Sequence, residues 1–248
     1  MSLLYPISSS IPWNRKTVLI ALPGLGGTAS SFPINAFRAI ADAGVLVYLA
    51  DYNSHVESIN MMAAYIWEAY NATPVSTVHP ILLGYSMGGF VAQSMYAQQL
   101  DRVKGMILLS TACMTIDDGI AAAVTYSDLG KRALSFVHEK RHSEKPFGLP
   151  PRAIVSEDDW FNELAAVIAY VLSNKSCERL TNVQCPVLSI YGLKDTIIPV
   201  SSMSKLEDII PAKMFTKAVF PHATHGLIYE QPEEVGSTVL KWIAANSM

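Results

Sequence analysis

The 248 residues are 50% hydrophobic and 16% charged, and their formal net charge is −3. That length suits one large domain or two small ones, and the apolar content excludes a disordered chain. The near-neutral balance lacks the basic footprint of a nucleic-acid binder. Along the chain, short apolar runs alternate with longer amphipathic ones. This is the pattern of a mostly parallel sheet covered by helices on both faces. Residues 17–22 (TVLIAL) predict a buried strand, followed by a Gly-rich turn and a helix through Phe37, Ile40 and Ala41 that stops at Gly44. Residues 45–50 predict a second strand. Over 55–70, Ile59, Met62, Ala63, Ile66 and Trp67 recur at helical spacing. Residues 80–83 and 105–109 predict the third and fourth strands, with a helix over 90–100 between them.

The alternation then pauses. From 115 to 174 only helical patterns are legible, with a Pro- and Gly-rich loop at 145–151 and Ser156 and Asp159 spaced as a capping box. Strand character returns at 187–191 and 218–220, and a last helix is expected over 233–245. The reading is an α/β domain formed by 1–114 and 175–248, with a helical lid, 115–174, inserted between sheet strands. Open α/β sheets place ligands at the carboxyl-end face that such a lid covers. The uncharged stretches at 17–37 and 69–100 are broken by Pro, Gly and polar residues, so no membrane span is expected. Residues 1–16 lack the charged start and apolar core of a signal peptide. Cys113, Cys177 and Cys185 match neither a disulfide framework nor a zinc pattern. Each reads as a small buried apolar residue in a reducing compartment, with the cytoplasm as the default address.

Gly84-Tyr85-Ser86-Met87-Gly88 follows an apolar run and opens a helical one. A G-x-S-x-G turn in that setting holds its serine at a strained conformation, and the flanking glycines permit close backbone approach. The hydroxyl is pushed clear of the sheet, and the helix N-terminus beneath it favours developing negative charge. A serine nucleophile needs a base, and the base needs an orienting carboxylate. Residues 188–195 read LSIYGLKD, which puts Asp195 just past a strand, and His222 and His225 follow the last strand. Asp117 and Asp118, beyond the fourth strand, are competing acids. Taken singly, each of these residues is equally a turn former, a cap or a polar loop residue. The order Ser86, Asp195, His225, each beyond the carboxyl end of a predicted strand, is what carries the functional reading.

With these motifs the chain resembles the α/β-hydrolase family over nearly its whole length, in its capped, serine esterase-like form. Gly192 to Asp195 is similar to the family's acid turn, and His225, with Glu230 and Pro232 after it, to its histidine turn. That spacing selects His225 over His222. Residues 22–27 (LPGLGG) resemble the family's oxyanion loop, with Pro23 where the family usually has His. Only sixteen residues precede the first strand, too few for the family's leading hairpin, so six or seven strands are expected instead of eight.

The resemblance implies Ser86 as nucleophile, His225 as base and Asp195 as orienting acid, with the backbone amides of Leu25 and Met87 forming the oxyanion hole and Gly84 and Gly88 shaping the turn. It implies cleavage of a carboxylic ester or thioester of a small or medium apolar acyl group, with no metal or organic cofactor. A lyase, a carbon–carbon hydrolase or a perhydrolase with the same triad stays open, as does a slow-turnover small-molecule receptor. In the lid, Phe136, Phe147, Trp160, Phe161 and Tyr170 either line a pocket or form the lid's own core. Six Lys or Arg between Lys131 and Arg152 face only Glu139 and Glu144. They read as a solvated face or as a docking patch for an acidic carrier or anionic substrate. The oligomeric state is left open.

Overall fold

In a computed structural model, which describes residues 3–7, 9, 11–14, 16–52, 58–113, 157–173 and 175–248, seven strands form one sheet. They are β1 (Leu4–Pro6), β2 (Val18–Leu22), β3 (Leu46–Ala50), β4 (Ile81–Tyr85), β5 (Gly105–Leu109), β6 (Val187–Gly192) and β7 (Phe215–Phe220). Their order is β1-β3-β2-β4-β5-β6-β7, all parallel except β1. The helices are α1 (Ile34–Asp42), α2 (Ile59–Asn71), α3 (Met87–Gln98), α4 (Glu157–Leu172), α5 (Lys175–Glu178), α6 (Val200–Ile209), α7 (Leu227–Glu230) and α8 (Pro232–Ala245).

The continuous apolar runs follow from burial on both faces. In β2, Val18, Ile20 and Leu22 pack toward Ile66 of α2 and Phe90 and Met95 of α3. Leu19 and Ala21 turn to the opposite layer, with Phe37 and Ile40 of α1 and Val239 and Trp242 of α8. Helix α3 lies deepest, and all of 87–96 is buried. Ser58 caps α2 by accepting a hydrogen bond from the Met61 amide, at 3.2 Å. This cap, with Ser58 itself extended, starts α2 at Ile59; the earlier part of the expected helix, 55–57, lies outside the described residues. Helix α3 begins at Met87, three residues earlier than its apolar spacing suggests, because the turn at Ser86 feeds directly into it. Strand β1 escapes the sequence pattern. Its three residues are too short to show a period, yet Leu4 and Tyr5 pair with Ala50 and Leu49.

Strand order reverses between β2 and β4, where β2 has β3 on one side and β4 on the other. The loops leaving the carboxyl ends of two such strands diverge and leave a crevice. Leu22 pairs with Gly84, so the Gly-rich loop after β2 and the turn at Ser86 emerge side by side. Farther along, Gly192 pairs with Phe220, so the loops after β6 and β7 are also neighbours.

Between β5 and β6 the described residues form α4 and α5 and no strand. Asp117, Asp118, Phe136, Phe147, Ser156 and the basic stretch from Lys131 to Arg152 lie outside the described residues. The cysteine reading is corrected here, because Cys113 and Cys177 are joined by a disulfide, 64 residues apart in sequence, with Cα atoms 4.8 Å apart. Spacing alone conceals the pair, since only the fold brings the end of β5 to α5. The bonded pair also removes the ground on which a reducing compartment was inferred. Cys185 is a buried free thiol, as expected, and burial pushes its pKa up to about 12. No helix among the described residues is long and apolar enough to cross a membrane.

Candidate active site

Ser86 sits between β4 and α3 at φ 53°, ψ −121°. A non-glycine residue holds this region only when its surroundings impose it. The imposition is visible at Gly88, where any Cβ would collide with the Leu22 carbonyl, so the start of α3 presses directly on the end of β2. The Ser86 amide donates to Leu109 O at 2.9 Å, which ties the turn to β5.

His225 Nε2 lies 2.9 Å from Ser86 Oγ, and His225 Nδ1 lies 2.8 Å from Asp195 Oδ2. An ionised carboxylate only accepts, so Nδ1 carries the proton and Nε2 of the neutral ring accepts from the serine hydroxyl. The second carboxylate oxygen of Asp195 accepts the Ile197 and Ile198 amides, each at 2.9 Å. The Asp195 side chain is 0% exposed and that of His225 13%, so the chain of hydrogen bonds runs from the interior toward the crevice. An acceptor nitrogen so placed can withdraw a hydroxyl proton as the oxygen attacks, and a buried carboxylate stabilises the imidazolium that results.

The loops carrying these groups are joined backbone to backbone. Lys194 N donates to Ala223 O at 2.9 Å and Leu193 N to Phe220 O at 3.1 Å. Glu230 accepts from both the amide and the hydroxyl of Thr224, which braces the turn just before His225. Tyr85 donates its hydroxyl to His225 O at 3.2 Å and sets its ring 5.6 Å from the imidazole. His222 is exposed on the same turn.

The loop after β2 adjoins the serine, since a Cβ on Gly24 would lie 3.1 Å from Ser86 Cβ. Leu25, whose amide the sequence singled out, follows in that loop, and Met87 opens α3 directly after Ser86. The loop closes through Gly27 N donating to Gly24 O at 2.8 Å. Three side chains then hold it. Tyr52 donates to Pro23 O at 2.9 Å, Asp51 Oδ1 accepts from Ala29 N at 2.6 Å, and Glu163 Oε2 accepts from Gly26 N at 2.6 Å. Tyr52 is held far above its ordinary pKa, first by burial and then by the negative charges of Glu163 and Asp51.

Sequence reasoning singled out none of Tyr52, Asp51, Glu163 and Tyr85 for the site. The signal the sequence did carry was Glu163 standing directly before the apolar run 164–172 of α4. Of the aromatics expected in the lid, Trp160 is buried against Gly26, whereas Phe161 is exposed. Tyr170 belongs to the core, 5.7 Å from Phe90 between ring centres, with its hydroxyl accepting from Arg179 at 2.7 Å. Among the described residues no group of three His, Cys, Asp or Glu side chains is placed to hold a metal ion.

The sequence profile of the alpha/beta hydrolase family matches residues 14–237. A monoacylglycerol lipase of Mycolicibacterium smegmatis is 25% identical over 227 residues, covering 82% of this chain and 80% of its own. Among solved structures, an alpha/beta hydrolase fold protein from Chitinophaga pinensis superposes with a TM-score of 0.73 at 18% identity, covering 98% of this chain and 97% of its own. A thermophilic esterase from Thermogutta terrifontis superposes with a TM-score of 0.69 at 21% identity, covering 99% and 93%. With a profile match across most of its length and a fold shared end to end with such proteins, the chain belongs to the alpha/beta hydrolase family.

Proposed function

We propose that this protein cleaves carboxylic esters or thioesters of small or medium apolar acyl groups through an acyl-enzyme on Ser86. The observation that carries the reading is the unbroken hydrogen-bond chain from Ser86 Oγ through His225 to buried Asp195. Ser86 Oγ attacks the substrate carbonyl as its proton passes to His225 Nε2. The carbonyl oxygen becomes an oxyanion that takes hydrogen bonds from the Leu25 and Met87 amides, each worth about 3 kcal/mol in the barrier. Collapse of the intermediate breaks the bond to the leaving alcohol or thiol, which takes the proton from His225. Water, deprotonated by the same imidazole, then releases the acid and restores Ser86. Asp195 stays ionised throughout and keeps the Nδ1 tautomer in place.

The kinship with a monoacylglycerol lipase supports an ester as the bond broken. Among the described residues of the expected lid, α4 reaches the Gly-rich loop through Trp160. A panel of 4-nitrophenyl esters and matching acyl thioesters from acetate to laurate, run beside Ser86→Ala, tests the proposal. Turnover with an optimum at short or middle chain length, lost in Ser86→Ala, is the expected result. Turnover that survives in Ser86→Ala, or a wild-type protein inert toward every ester and thioester, contradicts it.

A further inference from the structure

The loop of residues 23–29 is held by side chains that come from far along the chain. Tyr52 and Asp51 follow β3, whereas Glu163 belongs to α4, 137 residues beyond Gly26. Glu163 is buried, so its carboxylate meets the Gly26 amide out of bulk water, where such a charge-assisted hydrogen bond is short and strong. Gly26 itself stands at φ +65°, and on that residue a Cβ would meet the Trp160 ring at 3.1 Å. Trp160 and Glu163 are one helical turn apart, so a single face of α4 presses the ring and aims the carboxylate at the same glycine. The neighbouring amide, that of Leu25, is the one read above as an oxyanion donor.

We propose that Glu163 is a positioning residue that sets the oxyanion loop, so that seating of α4 on the core and assembly of the oxyanion hole are one event. This rests on the proposed acyl-transfer role of Ser86. The carboxylate is not itself a donor to the oxyanion, and its charge is unfavourable to one. Its contribution is geometric. It fixes the direction of the Gly26 amide and hence the peptide planes on either side, and a shift on the order of 1 Å in a reacting group can cost about a hundredfold in rate. A neutral acceptor oxygen in the same place, though a weaker partner, keeps that direction.

The test compares Glu163→Ala and Glu163→Gln with wild type on 4-nitrophenyl butyrate, with active sites counted by stoichiometric fluorophosphonate labelling. Glu163→Ala is expected to lower kcat per labelled site about 10- to 100-fold while KM moves less than about threefold, the mark of an interaction used mainly in the transition state. A boronic acid inhibitor, whose tetrahedral adduct occupies the same hole, should weaken by a similar factor. Glu163→Gln should recover most of both losses. If Glu163→Ala only reduces the number of labelled sites, with kcat per site unchanged, the residue is merely structural and the inference is wrong. If Glu163→Gln is as impaired as Glu163→Ala, the charge matters and not the acceptor, which also overturns it. Ser86→Ala separates the two levels. Turnover surviving there removes the acyl-enzyme reading and this inference together, whereas its loss beside a fully active Glu163→Ala overturns only the inference.

Discussion

The two halves of the crevice are built by different means. On one side, Ser86, Asp195 and His225 sit within a few residues of the ends of β4, β6 and β7, and backbone hydrogen bonds link their loops. On the other side, the loop after β2 is held by the side chains of Tyr52, Asp51 and Glu163, which reach it from separate elements. Strand register positions the first group, and the sheet as a whole would have to open to displace it. Of the second group, the Glu163 tie depends on α4 being seated, and α4 lies in a segment whose ends meet at the Cys113–Cys177 bridge. In the proposed mechanism, a site assembled this way keeps its nucleophile and base in place while its oxyanion half answers in part to the packing of one helix.

The largest effects should come from the strand-end half. His225→Ala is expected to lower turnover about a millionfold, because loss of the base leaves little beyond binding and oxyanion contributions. Asp195→Asn should fold normally and lose about ten-thousandfold through the wrong imidazole tautomer. Both are read from kcat on one good ester, and near-wild-type rates in either would break the comparison on its stronger side. Reducing the disulfide, or Cys113→Ser, frees a closed loop whose entropy is worth about 4 kcal/mol. Calorimetry should show Tm lower by about 10 °C, and an unchanged Tm would mean the bridge does not constrain the segment.

Tyr52→Phe removes one of the three ties on the Gly-rich loop and should cost about tenfold in kcat, less than any change to the strand-end groups. It carries a pH signature as well. The buried phenol keeps its proton above pH 10 while the unfolded chain loses it, so wild-type stability falls as pH rises past the unfolded pKa. Denaturant titrations should show a shallower alkaline decline in Tyr52→Phe, and parallel declines would contradict the burial of that hydroxyl. The smallest effect belongs to His222→Ala, within about twofold of wild type, as for other exposed substitutions.

The same division separates what was legible in the sequence from what was not. Strands β2 to β6 announce themselves as apolar runs, and Ser86, Asp195 and His225 stand at fixed short offsets from strand ends, so local pattern was enough to bring them together. Strand β1 is too short to carry a period. The ties on the Gly-rich loop are long-range pairs, and nothing near Gly26 in sequence points to residue 163. Cys113 and Cys177 were hidden for the same reason, since a separation of 64 residues has no signature until the fold closes it. His225 was separable from His222 only through the spacing to Glu230, and Glu230 proves to grip Thr224 in the turn between the two histidines.

The central claim is that Ser86, activated by His225, is the attacking group. Mass spectrometry of the protein after reaction with a fluorophosphonate tests it most directly. The account predicts one adduct per chain, mapped to the peptide bearing Ser86, with ester turnover lost in proportion to labelling and both abolished in His225→Ala. An adduct on a different serine, or full ester turnover in a protein whose Ser86 is completely labelled, would contradict it.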